Sequence, residues 1–229
     1  AGCSIILKPS EFSPLSAYLI GELCAEINFP KGVVTVLCGE IPEVGIPLCE
    51  STIPKLITMI GSTETAQKLI AQSSKTSIKR YSMECGGNAP FIVFEDADLE
   101  AAVDLGAALK IGNTGQICVA ANRYFIQEAV VDQFTEGIIK KFEAAKIGFG
   151  REQEPAIGPM VNRQSVKKMQ NIVEEALEQN GELVYGGDAI VEKGYYFQPT
   201  VIRLEDNTSA LLQHEVFGPI AFITTFSDR

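Results

Sequence analysis

Short apolar runs alternate with stretches of helical spacing from the first residues onward. Ser4 to Leu7 is apolar, Pro14 to Ile27 has helical spacing, and Val33 to Cys38 is again strand-like. A helix follows near Val44 to Glu50, then the run Leu56 to Ile60, then a helix that reaches about Ala71. Ser13-Pro14 and Ser62 or Thr63 mark helix starts. Parallel neighbours need a crossover connection, so this βαβαβ rhythm predicts a mostly parallel sheet with helices on its faces. Ala1 itself reads as already within a strand.

The rhythm resumes after Gly86-Gly87. Phe91 to Phe94, Arg123 to Gln127, Glu182 to Tyr185, Phe197 to Leu204 and Ile220 to Phe226 read as strands. Helices are predicted over about Asp98 to Lys110, Val130 to Ala145 and Arg163 to Gln179. The last places Val166, Met169, Ile172, Val173, Ala176 and Leu177 on one face and stops at Asn180-Gly181. A domain boundary is placed near Glu84 to Gly87, where two glycines follow a strand, giving domains 1–84 and 85–229.

Composition narrows the function classes. With 46% hydrophobic and 21% charged residues, the 229-residue chain can bury a core in one large or two small α/β domains. Its formal charge of −10, with no basic run, gives a phosphate backbone little to hold, so no nucleic-acid partner is expected. No run approaches the roughly 18 to 20 apolar residues that span a bilayer, so no membrane partner is expected either. The six cysteines form no CxxC pair and His214 is the one histidine, so no metal is expected. Cysteines scattered in this way suit a reducing compartment, read as cytoplasmic with mitochondrial also open.

Four features carry candidate chemistry. Lys8-Pro9-Ser10-Glu11 lies where a strand gives way to a helix, and a lysine with a carboxylate there can grip ribose hydroxyls; taken alone it reads as an ordinary loop. Gly61-Ser62-Thr63-Glu64 can bring a phosphate to a helix N-terminus, but lacks the spaced glycines of GxGxxG and reads equally as a cap. Glu84-Cys85-Gly86-Gly87 and Asn113-Thr114-Gly115-Gln116-Ile117-Cys118 set a carboxylate and a thiol among small residues. A thiolate is a nucleophile and a carboxylate can activate water, although free cysteine is more often an inert buried residue. His214-Glu215-Val216-Phe217-Gly218-Pro219 reads as a structural turn, with a Cys118/His214 cysteine-hydrolase dyad as the alternative.

Read in order, these features resemble the aldehyde dehydrogenase superfamily along essentially the whole chain. Pro30-Lys31-Gly32-Val33, Asn88-Ala89-Pro90, Gly158-Pro159 and Gln198-Pro199-Thr200 add to the resemblance. Met83 to Asp98 with Asn113-Thr114-Gly115-Gln116 is most similar to the succinate-semialdehyde dehydrogenase branch. The resemblance implies part of a Rossmann-like cofactor domain followed by an α/β catalytic domain. It implies oxidation of an aldehyde with NAD(P) through a thiohemiacetal and a thioester, with Cys118 as nucleophile and Glu84 as general base. It implies that Lys8 and Glu11 meet the adenosine ribose, with Pro9 and Ser10 also in the cofactor-binding loop, and that Gly61 and Ser62 meet the pyrophosphate. The Cys85 carbonyl would face the nicotinamide, Glu215 would hold its ribose, and Phe217 would lie beside the ring. The Cys118 backbone N–H would form half of an oxyanion hole. A carboxylate at Glu11 favours NAD over NADP, because it accepts from ribose hydroxyls and repels a 2′-phosphate.

Departures from the family pattern set further expectations. Family chains are about twice this length, so the sequence reads as a central piece lacking the first cofactor-domain strands, the oxyanion-hole asparagine and the segment behind a homo-oligomer interface. A catalytically inert fragment is the corresponding alternative. Gly112 stands where the semialdehyde branch carries an arginine for the substrate's distal carboxylate, and a glycine supplies no charge. Ala66 stands for a usual glycine, Cys85 for a leucine, and Ala120 for a second cysteine found in some members.

Overall fold

The computed structural model describes residues 2–150, 156–190 and 194–227. Ala1, expected to lie within a strand, falls outside the described residues, and the first strand begins at Ile5. The chain divides into two compact units, Ala1–Cys85 and Gly86–Arg229.

In the first unit the elements run β1 (Ile5–Leu7), α1 (Leu15–Glu26), β2 (Val34–Val36), α2 (Ile46–Glu50), β3 (Leu56–Ile60), α3 (Thr63–Ser73) and β4 (Arg80–Glu84). A π-helical turn over Ile41–Gly45 leads into α2. The order matches the predicted rhythm, but the single parallel sheet does not form. Instead β1 pairs with β2 and β3 with β4, as two separate parallel pairs. Parallel strands ordinarily have both faces covered. Here the unit's own residues leave Leu15, Ile53, Ile60 and Ile78 about four-fifths or more exposed, and bury Ala17, Ala66, Ser73 and Lys79. The first helix also lacks the expected side-chain cap, since Pro14 occupies its N-cap. Ser62 does cap α3, its Oγ accepting from the Thr65 N–H at 3.1 Å.

The second unit continues with β5 (Ala89–Val93), α4 (Leu99–Ile111), β6 (Ala121–Gln127), α5 (Val131–Ala144), α6 (Arg163–Glu178), β7 (Glu182–Tyr185), β8 (Ala189–Ile190), β9 (Tyr196–Phe197), β10 (Thr200–Arg203) and β11 (Ile220–Phe226). Five strands form one sheet in the order β5-β6-β11-β10-β7, parallel except for the antiparallel β7 edge. The predicted strand Phe197 to Leu204 is split: β9 pairs with β8, and the chain passes through Gln198-Pro199 before β10 joins the main sheet. Proline cannot donate to a ladder, which accounts for the break.

Alternation along the central strands builds two cores. Ala221, Ile223 and Val201 face α4 and α5, where Tyr124, Phe134, Ile138 and Phe142 are buried. Ile220, Phe222 and Ile202 face the opposite way, onto Val166, Met169, Val173 and Ala176 of α6. A period of two on the strands and 3.6 on the helices gives this three-layer arrangement. Asp98 and Asn162 cap α4 and α6 with side-chain oxygens, and Asn180, at φ 62°, takes the left-handed position that ends α6.

Phe134 is fully buried and its ring lies 6.2 Å from those of both Phe91 and Tyr124. Phe134→Ala should therefore destabilise the second unit by about 3 to 5 kcal/mol, read from the denaturant midpoint at unchanged slope.

Candidate active site

Parallel strands deliver their C-terminal ends to one side, and the first unit's candidate residues follow such ends. Lys8 leaves β1 with its Nζ 3.2 Å from the Pro9 carbonyl and 3.8 Å from the Glu11 carboxylate. Ser10 folds the same loop, its Oγ accepting from the Phe12 N–H at 3.2 Å. Gly61 follows β3 and donates its N–H to the Glu84 carbonyl at 3.0 Å, so the turn before α3 is tied to the end of β4. Ser62 is committed to capping, and the first backbone N–H groups of α3 have no partner within the helix. Glu84 is exposed at the end of β4, opposite Ile60, and Cys85 is half-buried.

Cys118, Glu215 and Phe217 belong to the second unit. Cys118 is exposed, in the loop between α4 and β6. That loop opens with three consecutive left-handed residues: Asn113 at φ 48°, Thr114 at 58° and Gly115 at 67°. A β-branched residue in that region is strained, and Thr114 is held there by burial and by donating its hydroxyl to the Gly158 carbonyl at 2.9 Å. Gln116 ties the turn to the same neighbouring segment, accepting from the Val161 N–H at 2.9 Å and donating to the Asn113 carbonyl at 3.1 Å. Among the described residues the Cys118 backbone N–H has no partner, which leaves it open to an oxyanion.

Two segments press against this loop. A Cβ on Gly87 would collide with the Cys118 carbonyl, and one on Gly115 with the Gly218 carbonyl, so both crossings require glycine. The Gly87 N–H donates to Glu215 Oε1 at 3.0 Å, which fixes the carboxylate against the segment that follows Cys85. Lys168 holds the backbone on either side, donating to the Glu215 and Val216 carbonyls at 3.2 Å each. Phe217 sits at φ 52° and is 40% exposed, a second strained residue beside the same loop.

Three residues that sequence reasoning missed organise this site. Lys110 is completely buried and donates to Asn122 Oδ1 at 3.1 Å and to the Gly218 carbonyl at 3.4 Å. Asn122 in turn donates to the Gly87 carbonyl at 3.0 Å. Lys168 is the third. A signal for Lys110 was present, because it continues the stripe of Val103, Gly106 and Ala107 on the buried face of α4. Burial pushes the Lys110 ammonium down to about 7, against the opposing pull of Glu215.

No hydrogen bond joins Cys118 to His214 among the described residues, so the dyad needed for a cysteine hydrolase is not assembled. Among the described residues no group of three or more His, Cys, Asp or Glu side chains could hold a metal ion, and no helix is long and apolar enough to cross a membrane.

An exposed cysteine beside a strained turn, framed by glycines and a fixed carboxylate, has the accessibility that a nucleophile needs. The sequence pattern of the Aldehyde dehydrogenase family matches residues 1–229, and the chain belongs to that family. The mitochondrial succinate-semialdehyde dehydrogenase of Oryza sativa subsp. japonica is 38% identical over 225 residues, or 98% of this chain and 42% of the rice protein. The NADP(+) succinate-semialdehyde dehydrogenase GabD of Escherichia coli (strain K12) is 38% identical over 229 residues, or 100% of this chain and 47% of that protein. The crystal structure of lactaldehyde dehydrogenase from Escherichia coli matches with a TM-score of 0.93 at 32% identity, covering 98% of this chain and 47% of that one. The chain thus spans about half the length of the curated relatives it matches.

Lys110 also makes stability depend on pH. Its amine loses its proton near pH 7 in the folded chain, whereas an ordinary lysine does so at 10.5, so unfolding takes up a proton between those values. The stability of the protein relative to a Lys110→Met variant should therefore rise from pH 7 towards pH 10, as read by chemical denaturation across that range.

Proposed function

We propose that the protein carrying this chain oxidises an aldehyde to the carboxylic acid with NAD(P), using Cys118 as the nucleophile and Glu84 as the general base. The observation that carries the reading is the Cys118 loop: an exposed cysteine, a backbone N–H on the same residue with no partner among the described residues, and a carboxylate, Glu215, fixed on the adjoining segment. The first unit is read as part of the cofactor-binding domain and the second as the catalytic domain. The residues suit the cofactor by their chemistry. Lys8 and Glu11 offer one donor and one acceptor 3.8 Å apart, which is what a pair of ribose hydroxyls needs. The Gly61-Ser62 turn offers helix N-terminal N–H groups to a pyrophosphate. The Cys85 carbonyl serves the nicotinamide amide, Glu215 its ribose, and Phe217 the edge of the ring. Pro9 and Ser10 shape the loop that presents Lys8 and Glu11.

The Cys118 thiolate adds to the aldehyde carbonyl, forming a C–S bond while the oxygen takes the negative charge. The Cys118 N–H donates to that oxyanion, where stabilisation counts most. A nicotinamide held near Cys85, Glu215 and Phe217 would supply the hydride acceptor, and loss of hydride from the carbon bonded to Cys118 leaves that carbon as a thioester. Glu84 then takes a proton from water, the resulting hydroxide attacks the acyl carbon, and the C–S bond breaks to release the acid and regenerate the thiolate.

For the substrate, the relatives are named for succinate and glutarate semialdehydes, and a semialdehyde is included in the proposed class. Gly112 supplies no cation six residues before Cys118, so a distal carboxylate would gain nothing from that position. The finer assignments follow the family: a homo-oligomer in a reducing compartment, cytoplasmic or mitochondrial.

In the protein that carries this chain, Cys118→Ala should abolish aldehyde-dependent NADH formation, by a factor of about 10³ or more, and turnover retained within tenfold would sink the assignment. Glu84→Gln should keep a stoichiometric burst of NADH while steady turnover falls by about 10² or more, as read by stopped flow. Gly112→Arg should raise kcat/KM for a carboxylate-bearing aldehyde relative to its uncharged analogue by about tenfold.

A further inference from the structure

A lysine amine is costly to bury, and an apolar residue would fill the inner face of α4 at less expense. Lys110 is nevertheless completely buried, and both of its acceptors belong to the segments that frame Cys118. Its bond to Asn122 joins the two ends of the loop that carries the thiol, since Cys118 lies between residues 110 and 122. Asn122 passes the connection on through its other amide atom to the Gly87 carbonyl, and the Gly87 N–H ends on Glu215 Oε1. The bond from Lys110 to the Gly218 carbonyl reaches the same strand of chain three residues further along. The result is a circuit of four hydrogen bonds, Lys110 to Asn122, Asn122 to Gly87, Gly87 to Glu215 and Lys110 to Gly218, closed by the backbone from Glu215 to Gly218. Every member lies in the second unit.

Resting on the reading of Cys118 as nucleophile and Glu215 as the cofactor-side carboxylate, we infer that Lys110 is a positioning residue that sets the Glu215-Gly218 segment for the cofactor. It touches neither the reacting atoms nor the carboxylate side chain through a hydrogen bond, and acts through Gly218 and through the Asn122-Gly87 connection. The Cys118 turn is separately held by Thr114 and Gln116 on the 158–161 segment, so the thiol keeps its own supports when the circuit is opened. Loss of Lys110 should therefore fall on the cofactor side of the reaction and spare the thiol.

The test uses the protein that carries this chain, with Lys110→Met to keep length and remove the donors, and Asn122→Leu as a second variant that breaks the circuit while retaining the lysine. Both should raise the NAD(P) dissociation constant, measured by calorimetry, by tenfold or more, and lower kcat/KM for the aldehyde correspondingly. The rate at which iodoacetamide alkylates Cys118 without cofactor should stay within about threefold of the unsubstituted protein. A combined variant should lose little beyond either single one, because both open the same circuit. Unchanged cofactor binding in the folded variants would overturn the inference, as would a fall in Cys118 alkylation equal to the fall in cofactor affinity. Failure of the underlying reading looks different: the unsubstituted protein itself would then show no Cys118-dependent oxidation of an aldehyde.

Discussion

Two stretches of backbone lie as close as the Cys118 loop and the Gly86-Gly87 segment only where the residue facing the other's carbonyl, here Gly87, carries no side chain. A Cβ on Gly87 would occupy the place of the Cys118 carbonyl, and one on Gly115 the place of the Gly218 carbonyl. These two contacts bring three segments, distant in sequence, to within hydrogen-bonding range of one another. The Glu215 carboxylate can then accept from a backbone N–H rather than from water, and the amide of Asn122 can span two segments at once. Take away the close approach and the remaining polar groups no longer reach their partners.

Such an arrangement needs a stiff support, because it holds unfavourable conformations. Thr114 and Phe217 both sit at positive φ, a region that costs roughly 1 to 3 kcal/mol for each residue other than glycine. The sheet β5-β6-β11-β10-β7, with α4 and α5 on one face and α6 on the other, provides that support through two buried clusters. The first unit is built differently. Its two strand pairs bury few side chains of their own, yet the loops after β1, β3 and β4 are well defined by local bonds such as Gly61 to Glu84 and Ser62 to Thr65.

The element order was legible in the sequence because apolar spacing records which face of each element is buried, as Val166, Met169, Val173 and Ala176 do for α6. Pairing between strands was not, since β1 to β4 have the spacing of neighbours but bond as two separate pairs. The left-handed turn at Asn113-Thr114 was also invisible: asparagine tolerates that geometry, but a threonine there is held by tertiary burial and its bond to Gly158. Lys110 was readable in part, standing on an apolar stripe, while its acceptors lie 12 and 108 residues away and could not be inferred from spacing. The candidate residues themselves emerged from several motifs in order. Cys118 taken alone reads as an inert buried thiol, whereas it is exposed.

The parallel register of the second unit also dictates an order of assembly. β6, which follows the Cys118 loop, pairs with β11 from Phe222↔Arg123 to Phe226↔Gln127, and Glu215 enters just before that strand. As the chain leaves the ribosome, the thiol therefore emerges long before the strand and carboxylate that frame it. Pairings this distant in sequence form slowly, because loop closure must precede the contacts that reward it. For that interval the loop that carries Cys118 lacks both the sheet partner of β6 and the carboxylate that later adjoins it, so its final geometry is set only when β11 pairs.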